Sequence, residues 1–225
     1  KSRAKKVAKI VDKVACIFPF EYDVYKEAGA YVEFVGHPLV DIVKPSMTKE
    51  EAMAFAGKEE GKKLILLMPG SRLMEIEKML PTLLEAAKII KKQLPEVSFV
   101  MPRAGTIPIS LLEEKIQASG LDVKITEGNN YDLFSVADLA LATSGTVTLE
   151  AALCGLGSVI VYKTNPVTYF IAKLLVNIPH IGLPNIVAAK SVVPELIQND
   201  FTPTKVAQEA LALLGSERNA KMKED

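Results

Sequence analysis

From Lys62 onward, short apolar runs alternate with segments whose apolar residues recur at helical spacing, and this alternation restricts the fold more than any other feature. The runs 64–68, 98–101, 123–126, 139–142 and 158–162 carry turn residues nearby and read as strands. After the first, Pro81 suits the opening position of a helix, with Leu83, Ala87, Ile90 and Leu94 at i, i+4, i+7 and i+11 before Pro95 stops it. Further helices are expected over 110–119, 131–137 and 146–154. Strand and helix alternating at this pitch form right-handed βαβ units, which build a parallel sheet with both faces covered. The expected fold class is α/β, with a Rossmann-like domain over 62–200 and a helix over 201–225.

The first sixty residues follow a different plan. A basic helix over 2–13, a strand over 14–18, a helix over 22–28 and a strand over 31–35 make one β-α-β unit, so 1–44 is expected to be the remnant of a second Rossmann-like domain. The stretch 45–61 is read as the connection. It holds the capping-box pattern Thr48-Lys49-Glu50-Glu51, which starts a helix ending near Gly57. The chain begins at Lys1 with neither a methionine nor a signal-peptide pattern, which suggests an N-terminal truncation.

Charge narrows the partners. Twenty-seven Lys and Arg balance 27 Asp and Glu, and a neutral chain lacks the basic footprint that nucleic-acid binding needs. The longest uncharged stretch, 174–189, is broken by Asn177, Pro179, His180 and Pro184, so no segment is expected to cross a bilayer. Cys16 and Cys154 have no metal-ligand or CxxC spacing and read as free thiols of a reducing compartment.

Two loops stand where ligands bind in open α/β sheets, beyond the carboxyl ends of strands. The strand 64–68 runs into Pro69-Gly70-Ser71-Arg72 and a helical turn with Glu75. Gly70 lets backbone approach a phosphate and Arg72 supplies a bidentate positive charge; a tight turn with a solvated arginine fits the same letters equally. The strand 139–142 runs into Thr143-Ser144-Gly145-Thr146, opening a helix with Glu150 one turn in. Free N–H groups and hydroxyls at Ser144, Gly145 and Thr146 make an anion site, and the Glu150 carboxylate can accept two hydrogen bonds from ribose hydroxyls. The plainer alternative is an ordinary N-cap at Ser144 or Thr146 with a surface glutamate behind it.

Several signatures are missing. No GxGxxG follows a strand, and the stretch 57–62 has the wrong spacing and position for a Walker A loop. No DxD pair stands ready to clamp a metal on a diphosphate, and His37 and His180 stand outside metal spacing. No metal and no cofactor are expected. A bound diphosphate would be neutralised by Arg72 and helix N-termini instead.

The run from Asp132 to Glu150 resembles the donor-nucleotide segment of GT-B glycosyltransferases, which act on sugar nucleotides without a DxD-bound metal. The set Phe18-Pro-Phe-Glu21, Val35-Gly-His-Pro38 with Asp41, Pro69-Gly-Ser-Arg72 with Glu75, Val161-Tyr-Lys163 with Pro166, Ile171-Ala-Lys173 and Leu183-Pro-Asn185 narrows this. In that order these motifs resemble the lipid-A-disaccharide synthase family, over residues 1 to about 214.

That resemblance implies a Rossmann-like parallel sheet of the GT-B type. It also implies an inverting hexosyl transfer from UDP-2,3-diacylglucosamine to 2,3-diacylglucosamine 1-phosphate, giving the β-1,6-linked disaccharide 1-phosphate and UDP. Arg72 is the catalytic candidate, stabilising the departing diphosphate; the general base is expected outside this chain, in the missing acceptor domain. The donor-binding candidates are Gly70, Ser71, Arg72, Glu75, Ser144, Gly145, Thr146 and Glu150, with Asn129 and Asn130 near the uracil and Asn185 at a Pro-Asn bend. For Asn185 an Asx-turn role is the alternative. Acylated substrates imply the cytoplasmic face of the inner membrane of a Gram-negative bacterium as the place of work. The basic stretch 1–13, with Ala4, Val7, Ala8 and Val11 on one face, suits anionic lipid or plain packing; the apolar stretch 167–178 is expected to be core. A homo-oligomer stays open. The competing readings are another UDP-GlcNAc-using GT-B enzyme, such as a peptidoglycan GlcNAc transferase or an epimerase, and a nucleotide-sugar-binding half that needs a separate catalytic subunit.

Overall fold

The computed structural model describes residues 2–165, 169 and 180–214, and the chain falls into two units, Lys1–Val43 and Lys44–Asp225. The first holds α1 (Ser2–Val7), β1 (Val14–Cys16), α2 (Pro19–Glu27), β2 (Val32–Phe34) and α3 (Leu39–Ile42). β1 and β2 pair in parallel with Val14 opposite Val32, as a β-α-β unit requires. The helix expected over 2–13 is shorter. The Val7 carbonyl accepts from both Ile10 N–H and Val11 N–H at 2.9 and 3.2 Å, which loosens the coil into a turn so that Val14 can reach the Tyr31 carbonyl. α2 starts earlier than expected because Pro19, with φ fixed and no N–H to lose, takes its first turn.

The second unit is built on a six-stranded, all-parallel sheet. Its elements are α4 (Lys49–Ala56), β3 (Leu64–Met68), α5 (Leu73–Gln93), β4 (Ser98–Arg103), α6 (Ile109–Ser119), β5 (Lys124–Glu127), α7 (Asn130–Val136), β6 (Leu139–Thr143), α8 (Thr146–Leu153) and β7 (Ser158–Tyr162), then a helix Leu183–Ala188, β8 (Glu195–Ile197) and a helix Pro203–Leu214. The strand order is β5-β4-β3-β6-β7-β8. Counted from β3 as the first strand, this is the order of a Rossmann sheet, and the chain reverses direction across the sheet between β3 and β6.

Strand alternation distributes the core over both faces. Ile65, Leu67, Leu139 and Leu141 point to one side, where α5, α6 and the helix Pro203–Leu214 bury Ile76, Leu80, Leu83, Leu112, Val206 and Leu213. Leu64, Leu66, Met68, Ala140 and Ala142 point to the other, against Ala52 and Ala56 of α4 and Leu133 and Phe134 of α7. All five residues of β3 are therefore buried, which is why this strand reads as an unbroken apolar run.

Two aspartates tie loops to this frame. Asp132, 3% exposed, accepts from Ser46 N–H at 2.6 Å, Met47 N–H at 2.7 Å and the Ser46 hydroxyl at 3.1 Å. Asp138 accepts from Lys58 at 2.7 Å, Lys63 at 3.1 Å and Leu64 N–H at 2.9 Å. Burial alone would raise both carboxyls, but these donors outweigh it and hold each below the ordinary carboxylate range.

Some expectations change. Pro81 lies inside α5 and does not begin it. The helix starts eight residues upstream at Leu73, where Glu75 has claimed the loop N–H groups, and burial of Met79, Leu80, Leu83 and Leu84 offsets the backbone bond that Pro81 forfeits. The expected strand over 123–126 is displaced to Lys124–Glu127, and β8 was not expected at all. The expected helix over 201–225 is described as Pro203–Leu214, whose buried Val206, Ala207, Ala210 and Leu213 face the core. The stretch 167–178 lies outside the described residues except for Tyr169.

Candidate functional site

The loops after β3 and β6 come together at the point where the strand order reverses. They line one cavity of about 470 Å³ with Gly70, Ser71, Arg72, Glu75, Asn130, Ser144, Gly145, Thr146 and Glu150, joined by Pro102, Arg103 and Ala104 from the end of β4. Nine of the eleven site candidates thus converge from loops far apart in sequence.

On the β3 side the geometry is set by glycine. Gly70 has φ +121°, and a Cβ there would lie 2.5 Å from a Glu75 carboxylate oxygen and 2.6 Å from the Glu75 Cβ. This close approach lets Glu75 accept from Ser71 N–H at 2.8 Å and Arg72 N–H at 3.2 Å, while its other oxygen takes the Arg72 guanidinium at 2.7 Å. Glu75 consequently holds the Gly70–Arg72 loop in place. The Arg72 side chain is 80% exposed, so it can turn to an incoming anion without unpacking anything.

On the β6 side the decisive feature is a helix start left open. Gly145 is the N-cap residue of α8, and no side chain caps the helix. Neither Ser144 nor Thr146 does so: the Ser144 hydroxyl donates to the Ile181 carbonyl at 2.9 Å, and Thr148 returns its hydroxyl proton to the Gly145 carbonyl at 2.7 Å. The first-turn N–H groups of an uncapped helix carry the positive end of its dipole and suit an anion. Gly145 has φ 175°, extended backbone open to any residue, and its missing side chain leaves space above those N–H groups.

Glu150 sits one turn further along α8, near enough to Tyr131 for its charge to act on the phenol. Burial, together with the Glu150 charge, keeps the Tyr131 phenol above its ordinary range, so it stays a donor. Behind it, burial and then the charges of Glu150 and Asp132 push the Cys154 thiol up to about 11. Cys154 and Cys16 are both free thiols.

Two candidates stand elsewhere. Asn185 is fully buried and spends its whole amide on a turn: its Nδ2 donates to the Val193 carbonyl at 2.8 Å and to Glu195 at 2.7 Å, and its Oδ1 accepts from Val192 and Val193 N–H at 2.7 and 2.8 Å. That corrects the expectation of a ligand contact in favour of the turn. Asn129 has φ 51° and makes no cap hydrogen bond; it supplies the left-handed corner that delivers Asn130 to the cavity.

No cluster of three metal-ligating side chains occurs among the described residues. The positive groups at the cavity are the two arginines and the α8 N-terminus.

Residues 1–225 match the lipid-A-disaccharide synthetase family. The chain belongs to that family. Its relatives include the lipid-A-disaccharide synthases of Geobacter sulfurreducens, 44% identical over 92% of this chain, and of Neisseria meningitidis, 39% identical over 92%. The chain spans about half the length of these relatives, 54% and 55% respectively. Among solved structures, a UDP-GlcNAc 2-epimerase from Neisseria meningitidis bound to UDP-GlcNAc superposes with a TM-score of 0.70 at 17% identity, over 96% of this chain and 57% of its own. A UDP-N-acetylglucosamine 2-epimerase from Listeria monocytogenes gives 0.68 at 16% identity, over 96% and 55%. At that identity the likeness is one of fold, a Rossmann-like parallel sheet of the GT-B type.

In this lipid-A-disaccharide synthetase family member, sequence reading missed Arg103 as a residue lining the cavity. Arg103 ends a strand and carries no local motif. Its signal was positional, since it lies at a strand end next to the switch point.

Proposed function

We propose that the second unit is the donor half of an inverting lipid-A-disaccharide synthase, holding UDP-2,3-diacylglucosamine while its sugar passes to 2,3-diacylglucosamine 1-phosphate. The observation that carries this reading is the uncapped start of α8 facing the Gly70–Arg72 loop across one cavity that Glu150 also lines. The diphosphate lies between the α8 N–H groups and Arg72, displacing Glu75 from the guanidinium. The ribose hydroxyls donate to Glu150.

Bond cleavage at the anomeric carbon leaves growing negative charge on the departing UDP. Donors already aimed at that diphosphate bind it more strongly as the charge grows, and this difference lowers the barrier. Arg72 and the first turn of α8 take that role. The base that accepts the acceptor's hydroxyl proton is expected outside these residues, in the acceptor half.

Acylated substrates place the enzyme at the cytoplasmic face of the inner membrane, as a peripheral protein. Ile10 and Val11, 80% and 40% exposed beside the lysines of α1, give the first unit an apolar edge suited to anionic lipid. No described helix is long and apolar enough to cross a membrane.

Calorimetric titration of the chain with UDP in EDTA tests the reading. Saturable one-to-one binding, unchanged by added Mg²⁺, is the expected result. Binding that disappears in EDTA and returns with Mg²⁺ would overturn the metal-free site.

A further inference from the structure

Glu195, the first residue of β8, has a side chain only 8% exposed. A carboxylate in such a place persists only where donors compensate its charge. Its donors come from one short segment. One oxygen accepts from Ile181 N–H at 2.9 Å, the other from Gly182 N–H at 3.1 Å and Asn185 Nδ2 at 2.7 Å, and His180 Nδ1 stands beside them at 3.7 Å. The same segment is pressed against β7, since a Cβ on Gly182 would run into the Ile160 side chain. The peptide joining residues 181 and 182 is thus located from two sides.

What that peptide holds in turn is Ser144. The Ile181 carbonyl accepts the Ser144 hydroxyl proton at 2.9 Å, and because a carbonyl cannot donate, the proton is committed to this bond. Ser144 therefore brings no proton to an anion; what it offers the cavity it lines is a fixed place for its loop. Its own N–H is tied to the Val161 carbonyl at 3.1 Å. Next in the chain comes Gly145, the N-cap of α8, exposed and without a side chain to anchor it. The Ser144 hydroxyl is the side-chain tie that immediately precedes the open helix start.

Resting on the donor-pocket reading above, we infer that Glu195 is a positioning residue for the donor diphosphate. It is not among the residues that line the cavity, and it acts through two others. By fixing the Ile181 carbonyl it fixes Ser144, and through Ser144 it holds the first turn of α8 where its N–H groups meet the diphosphate. Donors aimed in advance are effective only while their aim is kept, and a misplacement of about 1 Å can cost a hundredfold. Glu195→Gln keeps the shape of the side chain but turns one acceptor oxygen into an N–H₂ group that faces an N–H, which releases the segment.

The test is calorimetric titration of the 225-residue chain with UDP and with uridine, as wild type, Glu195→Gln, Ser144→Ala and the double variant, each first shown folded by circular dichroism. Each single variant is expected to weaken UDP by about tenfold and uridine by about twofold or less, and the double variant to be no weaker than about tenfold, because both changes cut the same link. A support that merely stabilised the unit would instead weaken both ligands, and its effect would multiply with that of Ser144→Ala to about a hundredfold. Either of those results, or a folded Glu195→Gln protein that binds UDP as the wild type does, would overturn the positioning role while leaving the donor pocket intact. If loss of the carboxylate prevents folding, Ser144→Ala decides alone: selective weakening of UDP supports the link, and normal UDP binding overturns it. Wild type that binds no UDP would overturn the donor pocket, and this role with it.

Discussion

At the scale of single residues, buried charge sets how the molecule responds to pH. Asp132 satisfies three donors from the Ser46–Met47 turn, so Asp132→Ala leaves them facing a cavity and is expected to cost about 3 kcal/mol in urea denaturation. Both Asp132 and Asp138 ionise below the ordinary carboxylate value in the folded chain. Their stabilisation is therefore complete above a pH of about 4, and falls away as pH drops through the depressed folded values. Unfolding free energies at pH 3 and pH 7 check this: the wild type should lose stability on acidification, and Asp132→Asn should lose less. Cys154 has the opposite sign. Its neutral thiol is favoured by burial up to about 11, so at pH 8 its alkylation by iodoacetamide should be far slower than that of free cysteine, and equal rates would contradict the burial described here.

At the scale of elements, two glycines with different backbones make different predictions. Gly70→Ala forces a side chain into a left-handed position and against Glu75, and should cost about 1–3 kcal/mol of stability together with nucleotide binding. Gly145 is extended and open, so Gly145→Leu should cost about 1 kcal/mol or less while filling the space over the α8 N–H groups. UDP affinity should still fall by about tenfold or more, equivalent to about 1.4 kcal/mol; a Gly145→Leu protein that binds UDP normally would separate the α8 start from the diphosphate. The same elements show what a sequence exposes. β3 was legible to the residue because a fully buried strand is an unbroken apolar run, and β7 because only its last residue is less than buried around the run 159–161. α5 was misjudged at its start because Pro81 is a strong local signal, whereas the true cap, Glu75 folding back on Gly70, is a contact between a loop and a side chain. β8 is three residues long with a half-buried pattern, too short to display any period.

At the scale of the whole molecule, the second unit contains a complete parallel sheet with both faces covered, and the candidate site lies wholly within it. The chain 44–225 is expected to fold alone and to bind UDP as the longer chain does; far-UV circular dichroism and titration check both, and failure to bind would mean that the first unit supplies an essential part of the site. The loops after β3 and β6 were legible as loops because each follows a buried strand, and the topology explains why they meet. The part that Arg103 plays in lining the cavity was not, because only strand order brings the end of β4 beside those loops. The central claim is that one nucleotide lies with its diphosphate at Arg72 and its ribose at Glu150, and binding of UDP and uridine to Arg72→Ala and Glu150→Gln tests it most directly. Folded Arg72→Ala should bind UDP more weakly but uridine nearly as wild type, since uridine has no phosphate, while folded Glu150→Gln should weaken both by about 1–3 kcal/mol. An Arg72→Ala protein that loses uridine as severely as UDP, or a Glu150→Gln protein that binds both normally, would contradict that placement.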